Sequence, residues 1–233
     1  MKTEMYKHIH EVESAHWWYV ARRKIVFDWV FRVLADYSGS RVLDVGCGTG
    51  FNVEYLRTYG YSQVTGLDFS TEALKFCQAR NLPHLVCGDG IHPPFRHASF
   101  DMIMALDLIE HLDDDTRALR EFARLLRPGG SIIIFAPAFN FLWGLQDEVS
   151  HHHRRYTASE LRQKLEAAGL SIRKLTYANM FLLPLIWAGR IVLRLIGNDI
   201  RGTSENDLNP DWSNGLLQAI FSAERPLLRY VNF

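Results

Sequence analysis

The sequence predicts an α/β protein whose doubly wound, mostly parallel sheet carries an N-terminal helix and a C-terminal helical cap. Three observations point there. Between residues 41 and 135, short apolar runs alternate with segments of helical period, as strands joined by crossover helices require. The first run leads directly into glycines at 46, 48 and 50. The run at 131–135 is apolar nearly throughout, which suits a parallel strand covered on both faces.

Each element follows in order. Val12, Trp17, Val20, Ile25, Val26, Trp29, Val30 and Val33 recur at three- and four-residue steps, predicting one amphipathic helix over 12–36, broken by Ser38-Gly39-Ser40. Strand 41–45 precedes the glycine turn, and a helix over 52–59 follows it. Strand 63–68 is followed by a helix over 71–80, which starts on Ser70/Thr71 with Glu72 in its first turn. Strand 85–87 ends in Gly88-Asp89-Gly90, and strand 100–106 feeds a helix over 114–126 with an acidic start and an Arg-rich end. Pro128-Gly129-Gly130 stops that helix before strand 131–135. A loop over 137–155, a helix over 158–168 ended by Gly169, and a strand over 171–176 complete the reading, and 178–233 shows no strand pattern. This divides the chain into an N-terminal helical lid (1–36), a cofactor-binding core (37–177) and a C-terminal apolar cap (178–233).

Composition narrows the function. The 233 residues are 48% hydrophobic and 22% charged, an ordinary globular balance. Lys+Arg and Asp+Glu are equal at 26 each, so no global field favours nucleic acid or an anionic membrane. Cys47, Cys77 and Cys87 fit neither a disulfide framework nor a zinc knuckle and read as reduced thiols. The first residues lack a signal-peptide core, and a cytoplasmic location is expected.

The chemistry concentrates at strand ends. Glycines after a strand let backbone N–H groups approach a ligand at the carboxyl edge of an open sheet. Asp68 ends the second strand, where a carboxylate can accept both hydroxyls of a ribose. Asp89 is placed to accept from the exocyclic amine of adenine, and Asp44 lies where an ammonium or ordered water would need a negative partner.

In order and spacing, DVGCGTG, GLDFS, GDG, FDMIMALDLIEHL and LLRPGG across residues 40–136 resemble the class I S-adenosylmethionine-dependent methyltransferases, of the type 11/12 kind, and imply their Rossmann-like fold. The resemblance implies S-adenosylmethionine as cofactor and S-adenosylhomocysteine as product. It puts the methionine end on Gly46, Cys47, Gly48 and Gly50, the ribose on Asp68, the adenine beside Phe69 and on Asp89 and Gly90, and a backbone contact at Leu106. The family usually finishes with an antiparallel strand beside the fifth, and no such strand is legible after Arg225-Pro226.

Methyl transfer from a sulfonium is an in-line displacement, so positioning and water exclusion dominate, and a base is needed only where the acceptor must lose a proton. His111, after the fourth strand, is one candidate base, and capping of the next helix is its other reading. No metal is expected, although Asp107, Glu110 and His111 resemble a cluster that holds a divalent ion in some ubiquinone O-methyltransferases and small-RNA terminal methyltransferases. Asp147 to Tyr156 contains three consecutive histidines, which cannot all face one point. His151 is taken as catalytic, and His153, Arg154 and Tyr156 as substrate contacts. In the N-terminal stretch HWWYVARR, Tyr19 and Arg22 are assigned to the cofactor, through cation–π attraction and its carboxylate, and Trp18 to the substrate.

That stretch, with PAFNFLW and HHRRYT, resembles a bacterial subgroup common in cell-envelope glycan and lipid biosynthesis. Residues 181–197 form the most apolar run, too short to span a bilayer and carrying Arg190 and Arg194, and so suit a hydrophobic lid or a peripheral membrane contact. The expected activity is methyl transfer to a small-molecule or lipid-linked acceptor, with O-methylation favoured over N or C. The alternatives are a cofactor-binding partner or regulatory protein without transferase activity, and an RNA methyltransferase, which would need a basic groove.

Overall fold

A computed structural model describes residues 3–196 and 211–233. The expected helix over 12–36 forms as α2 (Trp17–Val33), and a separate helix that was not read, α1 (Thr3–Val12), precedes it across a turn in which the His16 side chain accepts from the Trp18 N–H and caps α2. Then follow β1 (Arg41–Val45), α3 (Phe51–Thr58), β2 (Gln63–Asp68), α4 (Thr71–Ala79), β3 (Leu85–Cys87), β4 (Phe100–Leu106), α5 (Asp115–Leu125) and β5 (Leu126–Phe135). Ser70 caps α4 as the sequence suggests, accepting from the Ala73 N–H, and Asp114, read as the first residue of its helix, caps α5 by accepting from the Arg117 N–H. Pro128-Gly129-Gly130 lies inside β5, beyond the end of α5, and β5 shifts register against β4 between Phe100 and Met102.

The five strands run parallel in the order β3-β2-β1-β4-β5, as the doubly wound reading requires. Side chains alternate across the pleat, and the two resulting faces are covered by different helices. Val42, Val64, Met102 and Met104 pack against Val26, Phe27 and Val30 of α2, Leu56 of α3 and Leu74 of α4. Leu43, Val45, Ile103 and Ala105 face Leu119 and Phe122 of α5.

The remaining elements are α6 (Leu145–Val149), α7 (Ala158–Ala167), α8 (Leu183–Ile196) and α9 (Asp211–Leu227). The expected loop over 137–155 therefore contains α6 and a 3₁₀ turn at Asn140–Leu142. The Thr157 hydroxyl and the Glu160 carboxylate start α7 with a reciprocal capping box. The expected strand at 171–176 does not form. That segment runs beside the C-terminal residues instead, with Lys174 Nζ donating to the Val231 carbonyl (2.9 Å) and the Phe233 N–H donating to Thr176 Oγ1 (3.0 Å). Side chains take the place of a ladder there. α9 lies along α2, with Phe221 and Leu228 buried against Trp17, Ala21 and Ile25. No helix among the described residues is long and apolar enough to cross a membrane.

Candidate active site

Strand order reverses between β1 and β4, and open α/β sheets bind ligands in the crevice at such a switch point. The Gly46 and Cys47 N–H groups donate to the Leu67 carbonyl (2.8 and 3.0 Å), which folds the turn back over β2. The Gly48 N–H donates to Asp68 Oδ2 (2.8 Å), and the Ser70 N–H donates to Asp68 Oδ1 (2.8 Å), so the second-strand carboxylate is fixed in place. Gly48 and Gly50 both have positive φ, of 54° and 81°, but for different reasons. A Cβ on Gly50 would lie 2.6 Å from Leu82 Cδ1, whereas one on Gly48 would meet nothing within 4 Å. Gly50 is needed for packing, and Gly48 leaves room for a ligand.

The crevice fits a nucleoside with a charged tail. Phe69 is 78% exposed at its lip, an open aromatic face beside Asp68. The Asp89 carboxylate is half-exposed, accepting from the Ile91 N–H (2.8 Å) and facing His92. Asp44 lies beneath the turn, buried, with one carboxylate oxygen unpaired. Burial pushes its pKa up to about 7, against the pull of Arg22. Arg22 reaches in from α2, ion-pairs with Asp107 at the end of β4, and has its own pKa lowered by burial. Tyr19 lines the cavity and Leu106 ends β4 beside it, while Trp18 stacks on Phe221 (5.4 Å). Gly90 also lines the wall.

Sequence reasoning missed the clamp on this side. Glu13, at the α1–α2 junction, is buried and accepts from Thr49 Oγ1 (2.6 Å) and Arg80 (2.7 Å), tying the N-terminal segment to the glycine turn. Glu13 lies in no recognisable motif, and only the fold brings it to Thr49.

On the other side, the 3₁₀ turn Ile109–His111 follows β4. His111 and His152 meet edge to face with ring centroids 4.7 Å apart, and Glu110 is fully buried behind them. His152 donates to Asp147 Oδ1 (2.9 Å), and Arg155 holds both Asp147 oxygens (2.8 and 2.9 Å). Arg190 of α8 comes within 3.8 Å of Asp147. The side chain of Arg194 lies outside the described residues. Of the seven non-glycine residues with positive φ among the described residues, Asp107, Phe139, His151 and Asn179 line this one cavity, where backbone strain often marks a functional site.

The predicted acceptor residues divide. His151 and His153 line the cavity, and His153 also pairs with Asp113 (3.2 Å). The structure does not bring Arg154 there: it donates to the Asp113 carbonyl and pairs with Asp115. Tyr156 borders the cavity, but its hydroxyl is used internally, donating to Asp115 Oδ2 (2.8 Å) at the buried foot of the loop. Asp107 is held by Arg22 and is not in the cluster formed by Glu110, His111 and His152.

Comparison with known proteins bears on this crevice. A methyltransferase-domain family profile matches residues 43–134. Phthiotriol/phenolphthiotriol dimycocerosates methyltransferase 1 of Mycobacterium ulcerans is 41% identical over 102 residues, which is 42% of this chain and 38% of that protein. Probable tRNA methyltransferase 9B of Bos taurus is 28% identical over 144 residues, 58% of this chain and 30% of that protein. The chain thus spans under two fifths of these relatives' own length. A solved S-adenosylmethionine-dependent methyltransferase from Mesorhizobium loti superposes with a TM-score of 0.52 at 20% identity, covering 63% of this chain and 81% of that one, and shows the shared fold. The matched segment holds the glycine turn, Asp68 and the tip of β4, and with these comparisons residues 43–134 form a domain of the class I S-adenosylmethionine-dependent methyltransferase family.

Proposed function

We propose that the whole chain transfers the methyl group of S-adenosylmethionine to a lipid-linked or other apolar small acceptor, with oxygen as the favoured atom. One observation carries the acceptor reading. A cavity of ≈ 1970 Å³ is lined by Gly48 and Asp68, by His111, by Leu182 ahead of α8 with Leu185 and Ile186 within it, and along β5 at the sheet edge by residues 127–134. Ligand sites usually measure roughly 300–1,000 Å³, so this one has room for a nucleoside and a second, apolar molecule. Leu185, Trp187 and Val192 leave apolar surface exposed on α8, which suits delivery of such an acceptor from a membrane surface.

Bound S-adenosylmethionine supplies an electrophilic methyl on a sulfonium. The chain's own task is to hold the sugar on Asp68 and the methionine end over Gly46 and Gly48, and to close the cavity with α2 and α8. His151, on the cavity wall, is the candidate proton acceptor. Burial drives His111 down to about 4, which makes it a poor base at neutral pH.

An RNA acceptor is the competing reading, favoured by the bovine relative's name and disfavoured by the balance of 26 basic and 26 acidic residues. Incubation with methyl-labelled cofactor and separate lipid, glycan, small-metabolite and tRNA fractions tests both. Label in the organic-soluble fraction supports the proposal. Label in tRNA overturns the acceptor assignment, and no transfer to any fraction favours a cofactor-binding protein without transferase activity.

A further inference from the structure

We propose that α1 is a gate over the cofactor site, with Tyr6 as its contact above the ribose acid and Glu13 as its latch. The gate presupposes the nucleoside site on Gly48 and Asp68 and governs how a ligand enters and leaves it. Of the N-terminal lid expected over 1–36, only the first helix can swing. α2 is fixed, because Phe27 and Val30 are buried in the core against the sheet.

α1 is anchored lightly. It has ten residues, and among residues 4–12 only Tyr6 is buried. A helix this short is marginal on its own, and segments with few buried apolar contacts open at low free energy. It lies on α4, where the His10 ring packs 4.9 Å from that of Phe76.

Its other attachments converge on the cofactor turn. Met5, Tyr6, His8 and Ile9 line the same cavity as Gly48 and Asp68. Tyr6 is 6% exposed, and its hydroxyl meets the Ser70 side chain beside Asp68. Burial and the Asp68 charge push its pKa up to about 12, so at neutral pH it keeps a proton to donate at the edge that holds the sugar.

The latch lies at the other end of the helix. Glu13 accepts from Thr49 Oγ1 in the glycine turn (2.6 Å) and from Arg80 (2.7 Å). Arg80 also donates to the Thr49 carbonyl (3.0 Å) and pairs with Glu54, so one guanidinium joins the end of α1 to the turn and to α3. Arg23 of α2 donates to the Glu13 carbonyl, which fixes the pivot. Residues 13–16 form the turn between the two helices, so breaking the Glu13 side-chain bonds frees α1 without disturbing α2 or the sheet. A latch that closes with and without ligand sets the rate of exchange and not the affinity, whereas a group that touches the ligand sets affinity.

Stopped-flow tryptophan fluorescence with S-adenosylhomocysteine reads both rates on the whole chain. Glu13→Ala should speed association and dissociation alike, each by about tenfold, and leave affinity within about twofold. Thr49→Val, which removes one bond of the latch from its other side, should speed both by about threefold. Tyr6→Ala should speed dissociation more than association and weaken binding about tenfold. Lys7→Gln, on the exposed side of α1, should change neither rate. Amide hydrogen exchange at residues 4–12 should slow when the ligand binds the wild type. Wild-type rates in Glu13→Ala and Tyr6→Ala, lost affinity in Glu13→Ala without faster entry, or exchange in α1 that the ligand leaves unchanged would overturn the gate while the cofactor site stands. No binding to the folded wild type would overturn the site and the gate with it.

Discussion

The two ends of the cavity are built on opposite principles. At the cofactor end, the glycine turn after β1 and the acids at the tips of β2 and β3 supply most of the site, each beside its own strand in sequence, and backbone amides do much of the holding, as in the Gly48 N–H to Asp68 bond. At the acceptor end, four separate segments converge: the turn after β4, α6 with the loop that follows it, α8, and the strained residues around Phe139 and Asn179. Side chains hold it, with Asp147 at the hub. A backbone-built site writes its requirement into local sequence, whereas a side-chain site depends on which distant residues the fold brings together.

If Asp147 is the hub, removing it should produce the largest effect. Asp147 is 0% exposed and ionised against Arg155, and breaking a buried pair leaves the other charge uncompensated. Asp147→Ala should cost about 3–5 kcal/mol of stability in urea unfolding, and a loss below 1 kcal/mol would show that the acceptor end is not organised around it.

The two glycines sharpen the cofactor end. Gly50→Ala combines a left-handed backbone with a Cβ driven against Leu82 and Cys77, and should cost about 2–4 kcal/mol of stability. Gly48→Ala carries only the backbone term, about 1–2 kcal/mol, and should show its main loss in cofactor affinity. Equal stability losses in the two variants would erase the distinction between packing and binding glycines.

A pH experiment separates the ends without touching the cofactor. Glu110 titrates near 8 in the folded chain, above its unfolded value of 4.5. Between those values the native state holds a proton that the unfolded state has lost, so stability falls as pH rises through that window. Asp44, raised to about 7, adds a slope of the same sign below that pH, and His111, lowered to about 4 from 6.5, adds the opposite sign between those two values. Burial raises Glu13, Asp68 and Glu224 as well, so Glu110 is one of several carboxyls that contribute to the fall, and substitution isolates its share. Glu110→Gln should reduce the fall in chemical-denaturation curves, and an unchanged slope would contradict the buried neutral carboxyl.

The smallest effect is expected at Arg154. Partly exposed and paired with an Asp115 that Lys164 and Tyr156 also hold, it can be changed to Ala for about 0–1 kcal/mol and without loss of methyl transfer. A large loss of transfer would restore it as a substrate contact.

The same contrast explains what the sequence made legible. The short buried run Val42–Val45, the glycines, and Asp68 at the end of β2 each answer to a local rule, and the parallel direction of the strands follows from the helices between them. The histidine run obeyed none. Which of 151, 152 and 153 turns toward His111 depends on the left-handed backbone at His151 (φ 56°) and on Asp147 five positions before His152, neither of which leaves a periodic signal. The segment 171–176 reads as a strand by composition, and the C-terminal residues beside it take side-chain bonds in place of a ladder. Glu13 falls in the turn between α1 and α2, a stretch that the periodicity read as helix.

The central claim is that a sulfonium nucleoside lies over Gly48 with its sugar on Asp68, and calorimetric titration with S-adenosylhomocysteine tests it most directly. One molecule should bind per chain, and Asp68→Ala should lose about 1.5–3 kcal/mol of affinity, the range for hydrogen bonds to a charged group. No binding to the folded wild type, or identical affinity in Asp68→Ala, would contradict the account.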